Sequence, residues 1–309
     1  MASKVAIVRC QDYDPTAVYN ATAEALDLLG GIGSYVASGD TVLLKPNVIG
    51  IWEPGDAVTT HPSVVEAVVR LAQDAGGKVA IGDSSGGSAY SRTEEALGRS
   101  GMAEVARKTS SELLDFDKLS TEKRYVEMID REIAFASPVM EADVVISLPK
   151  LKTHSLTGIT CAIKNMFGTI PGPKKAQMHK EFPNKESFGK SLVGIFNTVR
   201  PKLSIMDGIV GMEGNGPAGG TPKQVGLILA SDDAIAMDTV IAERIMKIDP
   251  AYIDTIRLGA DAGLGNSNMD EIEILGQSLE RDWLGKGFKL PTTYAVYSKG
   301  WIPERFKSA

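Results

Sequence analysis

The chain has 309 residues, of which 43% are apolar and 23% are charged, and its formal net charge is −6. This composition is typical of a folded protein with a sizeable core and argues against a disordered chain. The acidic balance argues against a general nucleic-acid binder, which needs a basic surface to neutralise phosphates, although a local basic patch can still bind a small anion.

The cysteines and the N-terminal sequence indicate the compartment. Cys10 and Cys161 form no CxxC pair, so the sequence offers no ligand set for a zinc ribbon or an iron–sulfur cluster. A disulfide between the two cysteines is the alternative, but two widely spaced thiols in an acidic chain favour the reduced state. The start, MASKVAIVRCQDYD, has no apolar signal region, and no stretch approaches a membrane span in length. We therefore expect a cytoplasmic protein with neither a membrane nor a nucleic-acid partner.

Strand and helix patterns alternate along the chain. Short apolar runs predict strands at 4–9, 41–48, 78–87, 143–150, 203–211 and 225–231. Helical spacing of apolar residues predicts helices at 15–30, 61–77, 232–246 and 250–263. This alternation implies right-handed crossovers, so the predicted fold class is α/β, with a largely parallel sheet and flanking helices.

Three segments stand apart from this alternation. Residues 124–135 have the pattern of a small hairpin. Residues 150–202, which are rich in Lys, Pro and Gly from 169 onward, suggest a lid or a small second lobe. Residues 276–309 have weak periodicity, and we expect them to wrap the surface.

Polar residues follow four of the predicted strands. If these strands are parallel, their carboxyl ends meet at one edge of the sheet, where open α/β proteins bind ligands. The residues are Lys45 and Asn47 after the second strand, Asp83 and Ser84 after the third, Lys150, Lys152 and His154 after the fourth, and Asp207 after the fifth. Polar loops at strand ends are common, but four of them with Lys, Asp and His indicate a shared site.

A basic segment follows the fourth strand. From Pro149 to Lys180 the chain has six lysines and no acidic residue, which favours a carboxylate or phosphate ligand; a solvated basic face is the alternative. If a helix begins near Thr157, its N-terminus adds N–H donors for an anion, and Lys164 shares a face with Thr157. Lys164 and the neighbouring Asn165 then lie near the helix end, where a lysine also suits the helix dipole.

The three histidines are His61, His154 and His179. His61 stands at a predicted helix start, whereas His154 and His179 belong to the basic segment. Because histidine titrates near neutral pH, the latter two are acid–base candidates, and a purely structural role is equally open for each. No HxH or HExxH spacing predicts a zinc site, and a metal held by distant residues stays open.

Other residues have two interpretations each. The Gly-rich segment 207–223 either lets a ligand approach the backbone, with Glu213 and Asn215 at the site, or forms a flexible loop tip; it lacks the P-loop pattern. Cys161 is either a nucleophile near the lysines or a small buried residue. Asp232 or Asp233 suits a helix cap, and Asp238 is expected to bond to the Gly-rich segment.

Six motifs together resemble one family. They are LLKPN, TTHP, GDSSG, PKLKTHSLTGIT.AIKNMFG, DGIVGMEGNGP and SDDAIAMDTV. This set resembles the family called domain of unknown function 362, and the motif spacing extends one such domain over residues 1–309. The resemblance implies a distant, fold-level similarity to the lactate racemase group. Family members often carry a ferredoxin-like module with two cysteine-rich cluster motifs, which this chain lacks.

Three functions are open. The first is an enzyme that acts on a small anionic metabolite by Lys/His acid–base chemistry, such as isomerisation or elimination. In it, Lys152 and Lys164 bind the anion, His154 moves the proton, and Asp83 or Asp207 assists; a lysine Schiff base is a variant. The second is a redox or cofactor-handling protein that works with a separate ferredoxin, and the third is a non-catalytic binder of an anionic metabolite.

The remaining candidates would bind substrate. They are Lys45, Asn47, His61, Ser84, Lys150, Thr157, Asn165, His179, Glu213 and Asn215. The cofactor is left open, with no metal ligands assigned and no intrinsic iron–sulfur cluster expected.

Overall fold

The computed structural model describes residues 2–172, 174–279 and 287–292. The strands are β1 (Ser3–Arg9), β2 (Thr41–Pro46), β3 (Lys78–Asp83), β4 (Glu112–Asp115), β5 (Thr121–Val126), β6 (Arg131–Ala136), β7 (Val144–Leu148), β8 (Lys150–His154), β9 (Gly158–Ile159), β10 (Leu203–Glu213), β11 (Thr221–Ser231) and β12 (Ile272–Gly276). The α-helices are α1 (Pro15–Asp27), α2 (Pro62–Asp74), α3 (Thr93–Arg99), α4 (Met102–Thr109), α5 (Ser137–Glu141), α6 (Cys161–Asn165), α7 (Lys174–Glu181), α8 (Lys185–Val199), α9 (Ala234–Val240) and α10 (Asp254–Asp261).

Ten strands form one sheet with the main order β12-β1-β11-β10-β7-β2-β3-β4, and β8 pairs with both β10 and β9. The strands from β10 to β4 in this order pair in parallel. β11 is antiparallel to both of its neighbours, β1 and β10. The predicted α/β class with a largely parallel sheet and flanking helices is confirmed, and β11 is the exception among the predicted strands.

The sequence explains the elements nearest the site. Residues 42–46 of β2 are buried, as expected for an apolar run in the middle of a parallel sheet. Helix α2 has Pro62 at its first position, and the side chain of His61 accepts a hydrogen bond from the Ser63 amide to cap it. Both elements therefore begin where the local sequence predicts.

Apolar side chains pack on both faces of the sheet. Successive strand residues point to opposite faces, so Ile7 belongs to one core and Val8 to the other. The first core contains residues of α6, α8 and α9, and the second contains residues of α1, α2 and α4. The sheet is thus a middle layer between two layers of helices.

The prediction that residues 150–154 follow a strand end is wrong. Pro149 separates two strands, and residues 150–154 form β8, with Lys150 opposite Asp207 of β10. Asp207 therefore lies within a strand, and the predicted Gly-rich loop shrinks to the connection between β10 and β11. Glycine is needed at Gly211 because a Cβ there would collide with Leu151 of β8.

The predicted helix start near Thr157 is also wrong. β8 and β9 form an antiparallel pair, and Thr157 lies in the turn between them. Helix α6 begins at Cys161 instead, where the carboxylate of Asp238 accepts hydrogen bonds from the amides of Ala162 at 2.8 Å and Ile163 at 3.2 Å. Asp238 thus bonds to a helix N-terminus and not to the Gly-rich segment.

Other local predictions have mixed outcomes. The hairpin at 124–135 is confirmed, since β5 and β6 pair antiparallel. Asp233 caps α9 by accepting a hydrogen bond from the Ala236 amide at 2.9 Å, but residues 241–246 continue this helix as a π-helix. The lid or small lobe at 150–202 stays a prediction. Most of the segment 276–309 lies outside the described residues.

Among the described residues, no helix is long and apolar enough to cross a membrane.

Candidate active site

A cavity of about 340 Å³ lies at the carboxyl ends of β2 and β3, beside β8 and α6. This is the edge at which open α/β sheets bind ligands. Eight of the predicted site residues line the cavity, namely Lys45, Asn47, Asp83, Ser84, His154, Lys164, Asn165 and His179. Four further lining residues with polar or aromatic side chains were not predicted from the sequence. They are Tyr90, Thr160, Phe167 and Lys175.

Two other cavities are less suited to chemistry. One of about 810 Å³ borders the amino-terminal ends of β2 and β3, and one of about 500 Å³ borders α10. Neither is lined by any of the predicted site residues. The cavity at the carboxyl ends of β2 and β3 is therefore the candidate active site.

Lys45 and Asp83 form a buried ion pair at the cavity wall. The Lys45 Nζ donates to Asp83 Oδ1 at 2.8 Å, to the Pro46 carbonyl at 2.6 Å and to Asn165 Oδ1 at 3.2 Å. Burial lowers the pKa of Lys45 and raises the pKa of Asp83, and each charge opposes the shift of the other. All three N–H groups of Lys45 are engaged, so this lysine supports the site and has no donor left for a ligand.

Lys152 does not line the cavity but orients a residue that does. Its fully buried Nζ donates to Asn47 Oδ1 at 2.7 Å and to the Val58 carbonyl at 2.6 Å. The Asn47 Nδ2 then faces Asn165 Oδ1 at 3.3 Å. Burial, reinforced by the charge of Lys164, lowers the pKa of Lys152 well below its usual value. Lys152 therefore holds Asn47 in position from outside the cavity lining, and its role as an anion ligand stays a prediction.

His154 presents a hydrogen-bond donor to the cavity. Its Nδ1 accepts from the amides of Leu156 at 3.0 Å and Thr157 at 3.3 Å, so in the neutral ring the hydrogen is on Nε2. Burial and the charge of Lys164 lower the pKa of His154 well below its usual value, which keeps the ring neutral. A neutral ring whose Nδ1 is already occupied suits donation to an anion better than proton abstraction.

Lys164 and Thr160 provide the unpartnered polar groups of the cavity. Among the described residues, the Lys164 ammonium has no hydrogen-bond or ion-pair partner, and it lies 5.7 Å from the centre of the Phe167 ring. Burial, with a smaller effect of Lys45, lowers the pKa of Lys164 to about 8, so it is mostly protonated at neutral pH. The buried Oγ1 of Thr160 also lacks a partner in the described part of the chain. Buried polar groups are normally paired, so the unpaired Thr160 hydroxyl, in the same cavity lining as the Lys164 ammonium, indicates a place for a ligand.

His179 forms an aromatic wall. Its ring stacks on Phe188 at 4.4 Å and meets the edge of Phe167 at 5.6 Å. Burial, and to a lesser degree Lys164, lowers the pKa of His179 to about 4. A neutral His179 adds shape and an apolar surface and brings no charge at neutral pH.

Lys175 is a buried amine that sequence reasoning counted in the basic segment but did not assign to the site. Its Nζ donates to the Ser84 carbonyl and to Ser84 Oγ, both at 2.6 Å. The Ser84 hydroxyl in turn donates to Asp117, which also accepts from the Thr93 hydroxyl at 2.7 Å. Burial outweighs the attraction of Asp83 and Asp117 and lowers the pKa of Lys175 to about 7. This amine is therefore poised to exchange a proton at neutral pH. We call His154, Thr160, Lys164 and Lys175 the cavity cluster.

A second buried group, which we call the aspartate cluster, consists of Tyr13, His61, Lys150 and Asp207. Lys150 Nζ lies 2.7 Å from Asp207 Oδ2 and donates to the Tyr13 hydroxyl at 2.7 Å. The Tyr13 hydroxyl and the His61 amide donate to Asp207 at 2.9 and 2.8 Å. The His61 ring stacks on Tyr13 at 3.7 Å. None of these residues lines the cavity, so the structure places Asp207, Lys150 and His61 away from the candidate active site.

Three more predicted site residues lie elsewhere. The Thr157 hydroxyl donates to the Ile159 carbonyl at 2.8 Å within its own turn. Glu213 pairs with Lys223 at 2.9 Å, and the Asn215 side chain accepts from the Thr292 amide at 2.9 Å. Glu213 and Asn215 therefore fasten the segment 287–292 to β10 and its connection.

The structure also bears on cysteine and metal chemistry. Cys161 is fully buried, and burial and Asp238 raise the pKa of its thiol well above the usual value, which favours the interpretation as a small buried residue. Burial raises the pKa of Asp238 to about 7. In the part of the chain that the structure describes, no three His, Cys, Asp or Glu residues are placed to hold a metal ion.

Fold and site together define an α/β protein with a lysine-rich cavity at the carboxyl ends of its parallel strands. Residues 42–243 match the family described as "Domain of unknown function (DUF362)". The chain is also 39% identical over 267 residues to the thylakoid-associated protein sll1697 of Synechocystis sp., an alignment that covers 85% of this chain and 81% of that protein. The chain belongs to the DUF362 family, as its motifs predict.

A solved structure is similar at a greater distance. The lactate racemase apoprotein from Thermoanaerobacterium thermosaccharolyticum has a TM-score of 0.47 and 10% identity. The match covers 76% of this chain, which spans about 55% of the length of that protein. This is the distant likeness in fold that the motifs imply, and it carries nothing about activity.

Proposed function

We propose that the protein is an enzyme that acts on a small anionic metabolite by acid–base chemistry in the cavity. The observation that carries the proposal is the ammonium of Lys164, which has no partner among the described residues and lines the same cavity as the unpartnered hydroxyl of Thr160. Among the described residues that line the cavity, Asp83 is the only one with a carboxylate, and Lys45 already pairs with it. A carboxylate or phosphate would therefore meet donors and positive charge.

Each residue of the cavity cluster has a distinct part in this proposal. Lys164 and Thr160 bind the anion, and the Nε2–H of His154 donates to it or to an oxygen that gains charge during the reaction. Lys175, whose pKa is about 7, takes up and returns the proton. Asp83 holds Lys45, and Lys152 holds Asn47, so both act on the shape of the cavity.

The binding half of the proposal is tested with a matched pair of lysine variants. Small carboxylates and phosphates are screened by calorimetry against the wild type, Lys164→Gln and Lys174→Gln. Lys174 is exposed and lies in the same basic segment, so its variant controls for the net charge. We expect Lys164→Gln to weaken Kd roughly 10- to 100-fold, the loss of one charge-assisted hydrogen bond. Equal Kd values for the two variants would refute the assignment of Lys164.

The catalytic half is tested by hydrogen exchange. Ligands that bind are incubated in D₂O, and the exchange of their carbon-bound hydrogens is followed by NMR. We expect exchange with the wild type and its loss in Lys175→Gln at an unchanged fold. Ligands that bind without exchange or turnover would make the protein a binder, and exchange retained in Lys175→Gln would remove Lys175 from the mechanism.

A cytoplasmic location is also part of the proposal. The relative in Synechocystis is described as thylakoid-associated, so attachment to a membrane is the alternative. Fractionation of cells that express the tagged chain, with and without a salt wash of the membranes, separates the two locations. A separate ferredoxin as partner stays a prediction from the family resemblance.

A further inference from the structure

The hydrogen bonds of Lys175 do not involve the lone pair of its amine. A neutral amine has two N–H groups and one lone pair. Ser84 supplies two acceptors at 2.6 Å, the carbonyl oxygen and the hydroxyl oxygen, and so accounts for both N–H groups. The residue is only 3% exposed, yet it lines the cavity. The lone pair is thus left for a group inside the cavity.

The same cavity has a place for a carboxylate beside this amine. Lys164 and Thr160 lack partners among the described residues, and His154 offers its Nε2–H. The volume of about 340 Å³ is roughly ten times the ~30 Å³ share of one water molecule, which leaves room for a short-chain acid. An acid that carries an electrophilic carbon next to its carboxylate would meet all four groups of the cavity cluster.

We infer that Lys175 is a nucleophile that forms an imine with the carbonyl group of a small 2-oxo acid whose carboxylate is held by Lys164, Thr160 and His154. The inference rests on the proposed anion site and names the substrate class of that site. For this class, covalent bond formation replaces the proton transfer that the proposed function gives to Lys175. The lone pair of Nζ attacks the carbonyl carbon, and the π electrons of the carbonyl move to its oxygen, which takes up a proton. The carbinolamine then loses a proton from nitrogen and hydroxide from carbon, which together leave as water, and the C=N bond forms. No oxidant or reductant is needed.

The other lysines of the site are less suited to this step. Lys45 gives all three of its N–H groups to protein acceptors, and Lys152 does not line the cavity. Lys164 acts electrostatically on both histidines and, with a pKa of about 8, is mostly charged at neutral pH. The pKa of about 7 for Lys175 leaves about half of its amine neutral at that pH, whereas a lysine of ordinary pKa is neutral in fewer than roughly 1 in 10³ molecules.

Reductive trapping tests the inference. The full chain is incubated at neutral pH with pyruvate or 2-oxoglutarate, reduced with sodium borohydride and mapped by peptide mass spectrometry. We expect one adduct whose added mass is that of the oxo acid minus one oxygen, on Lys175. Its yield should exceed that at the exposed neighbour Lys174 by roughly 100-fold or more, because far more of the buried amine is neutral. Lys175→Arg should abolish the adduct, and Lys174→Arg should leave it unchanged.

Binding measured alongside separates this inference from the proposed function. If either oxo acid binds, and binds more weakly to Lys164→Gln, but leaves no adduct on Lys175, the imine is refuted and the anion site stands. If neither oxo acid binds while other anions do, the substrate class is refuted. If no anion binds at all, the proposed function fails with it. The peptide map of the wild type decides the site of the adduct even if Lys175→Arg does not fold.

Discussion

The aspartate cluster and the cavity cluster both bury lysine and neutral histidine, but they differ in how their polar atoms are paired. In the aspartate cluster, the carboxylate of Asp207 receives hydrogen bonds from Lys150, Tyr13 and the His61 amide. In the cavity cluster, Lys164 and the Thr160 hydroxyl have no partner among the described residues. Buried charge by itself therefore does not mark a functional site in this molecule.

The pairing of polar atoms distinguishes residues that stabilise the fold from residues that are available to a ligand. A fully paired buried ion pair holds elements together, in this case β8, β10, α2 and the segment before α1. Unpaired groups keep their desolvation cost, which a bound ligand can offset. On this basis we propose that the aspartate cluster shapes the sheet edge and that the cavity cluster binds the ligand.

The largest expected effect comes from replacing one lysine of each cluster by methionine. Lys150→Met leaves Asp207 buried without its cation, so we expect the free energy of unfolding to fall by about 3–5 kcal/mol. Lys164→Met removes no partner and relieves a desolvated charge, so we expect a change of less than about 1 kcal/mol. Urea denaturation followed by circular dichroism measures both, and an equal loss in the two variants would contradict the distinction between the clusters.

A smaller effect is expected in the titration of the three histidines. One lies in each cluster and one in the aromatic wall, and all three should be neutral at neutral pH. Burial lowers the pKa of His61 and of His179 to about 4, and it lowers that of His154 well below its usual value. Titration by ¹⁵N NMR, with one His→Gln variant for each assignment, should show His154 as a neutral Nε2–H tautomer still at about pH 6, below the usual pKa of about 6.5.

The sign of this pH dependence follows from linkage. His61 and His179 stay neutral in the folded chain but take up protons in the unfolded chain below a pKa of about 6.5. Their contribution to stability is therefore full above about pH 6.5 and is lost as the pH falls toward about 4. If His154 instead titrates near pH 6.5 and its Nδ1 carries a proton, it regains the role of general base and Lys175 loses that role.

The sequence predicts the sheet edge well because local patterns determine it. The apolar run before Lys45 and the one before Asp83 form adjacent parallel strands, so their ends must meet. That register brings the Lys45–Asp83 ion pair together, and it also places Ser84 and Asn47 at the cavity. A short basic segment that follows a neighbouring strand adds Lys164 and His154.

What the sequence does not predict depends on long-range pairing. Lys150 and Lys152 look alike in the sequence, but the pairing of β8 with β10 directs Lys150 to Asp207 and Lys152 to Asn47. The prediction of a loop at 207–223 fails for residues 207–213, which belong to β10, where a Cβ at Gly211 would collide with Leu151. Lys175 stands one residue after an exposed lysine in a mostly polar helix, so no local pattern indicates which of the two is buried.

The smallest effect is expected from residues outside the cavity, and it tests which residues belong to the site. Glu213→Gln and Asn215→Ala change residues that bond to Lys223 and to Thr292 and that do not line the cavity. We therefore expect no change in the Kd of any anion whose binding Lys164→Gln weakens. We also expect a loss of stability of about 1 kcal/mol or less, because the glutamine keeps an accepting oxygen and the bonds of Asn215 are exposed. Calorimetry on both variants checks this. Both residues belong to a motif of the family. A clear loss of affinity would mean that the segment 287–292, to which they bond, takes part in binding. The cavity cluster alone would then not define the site.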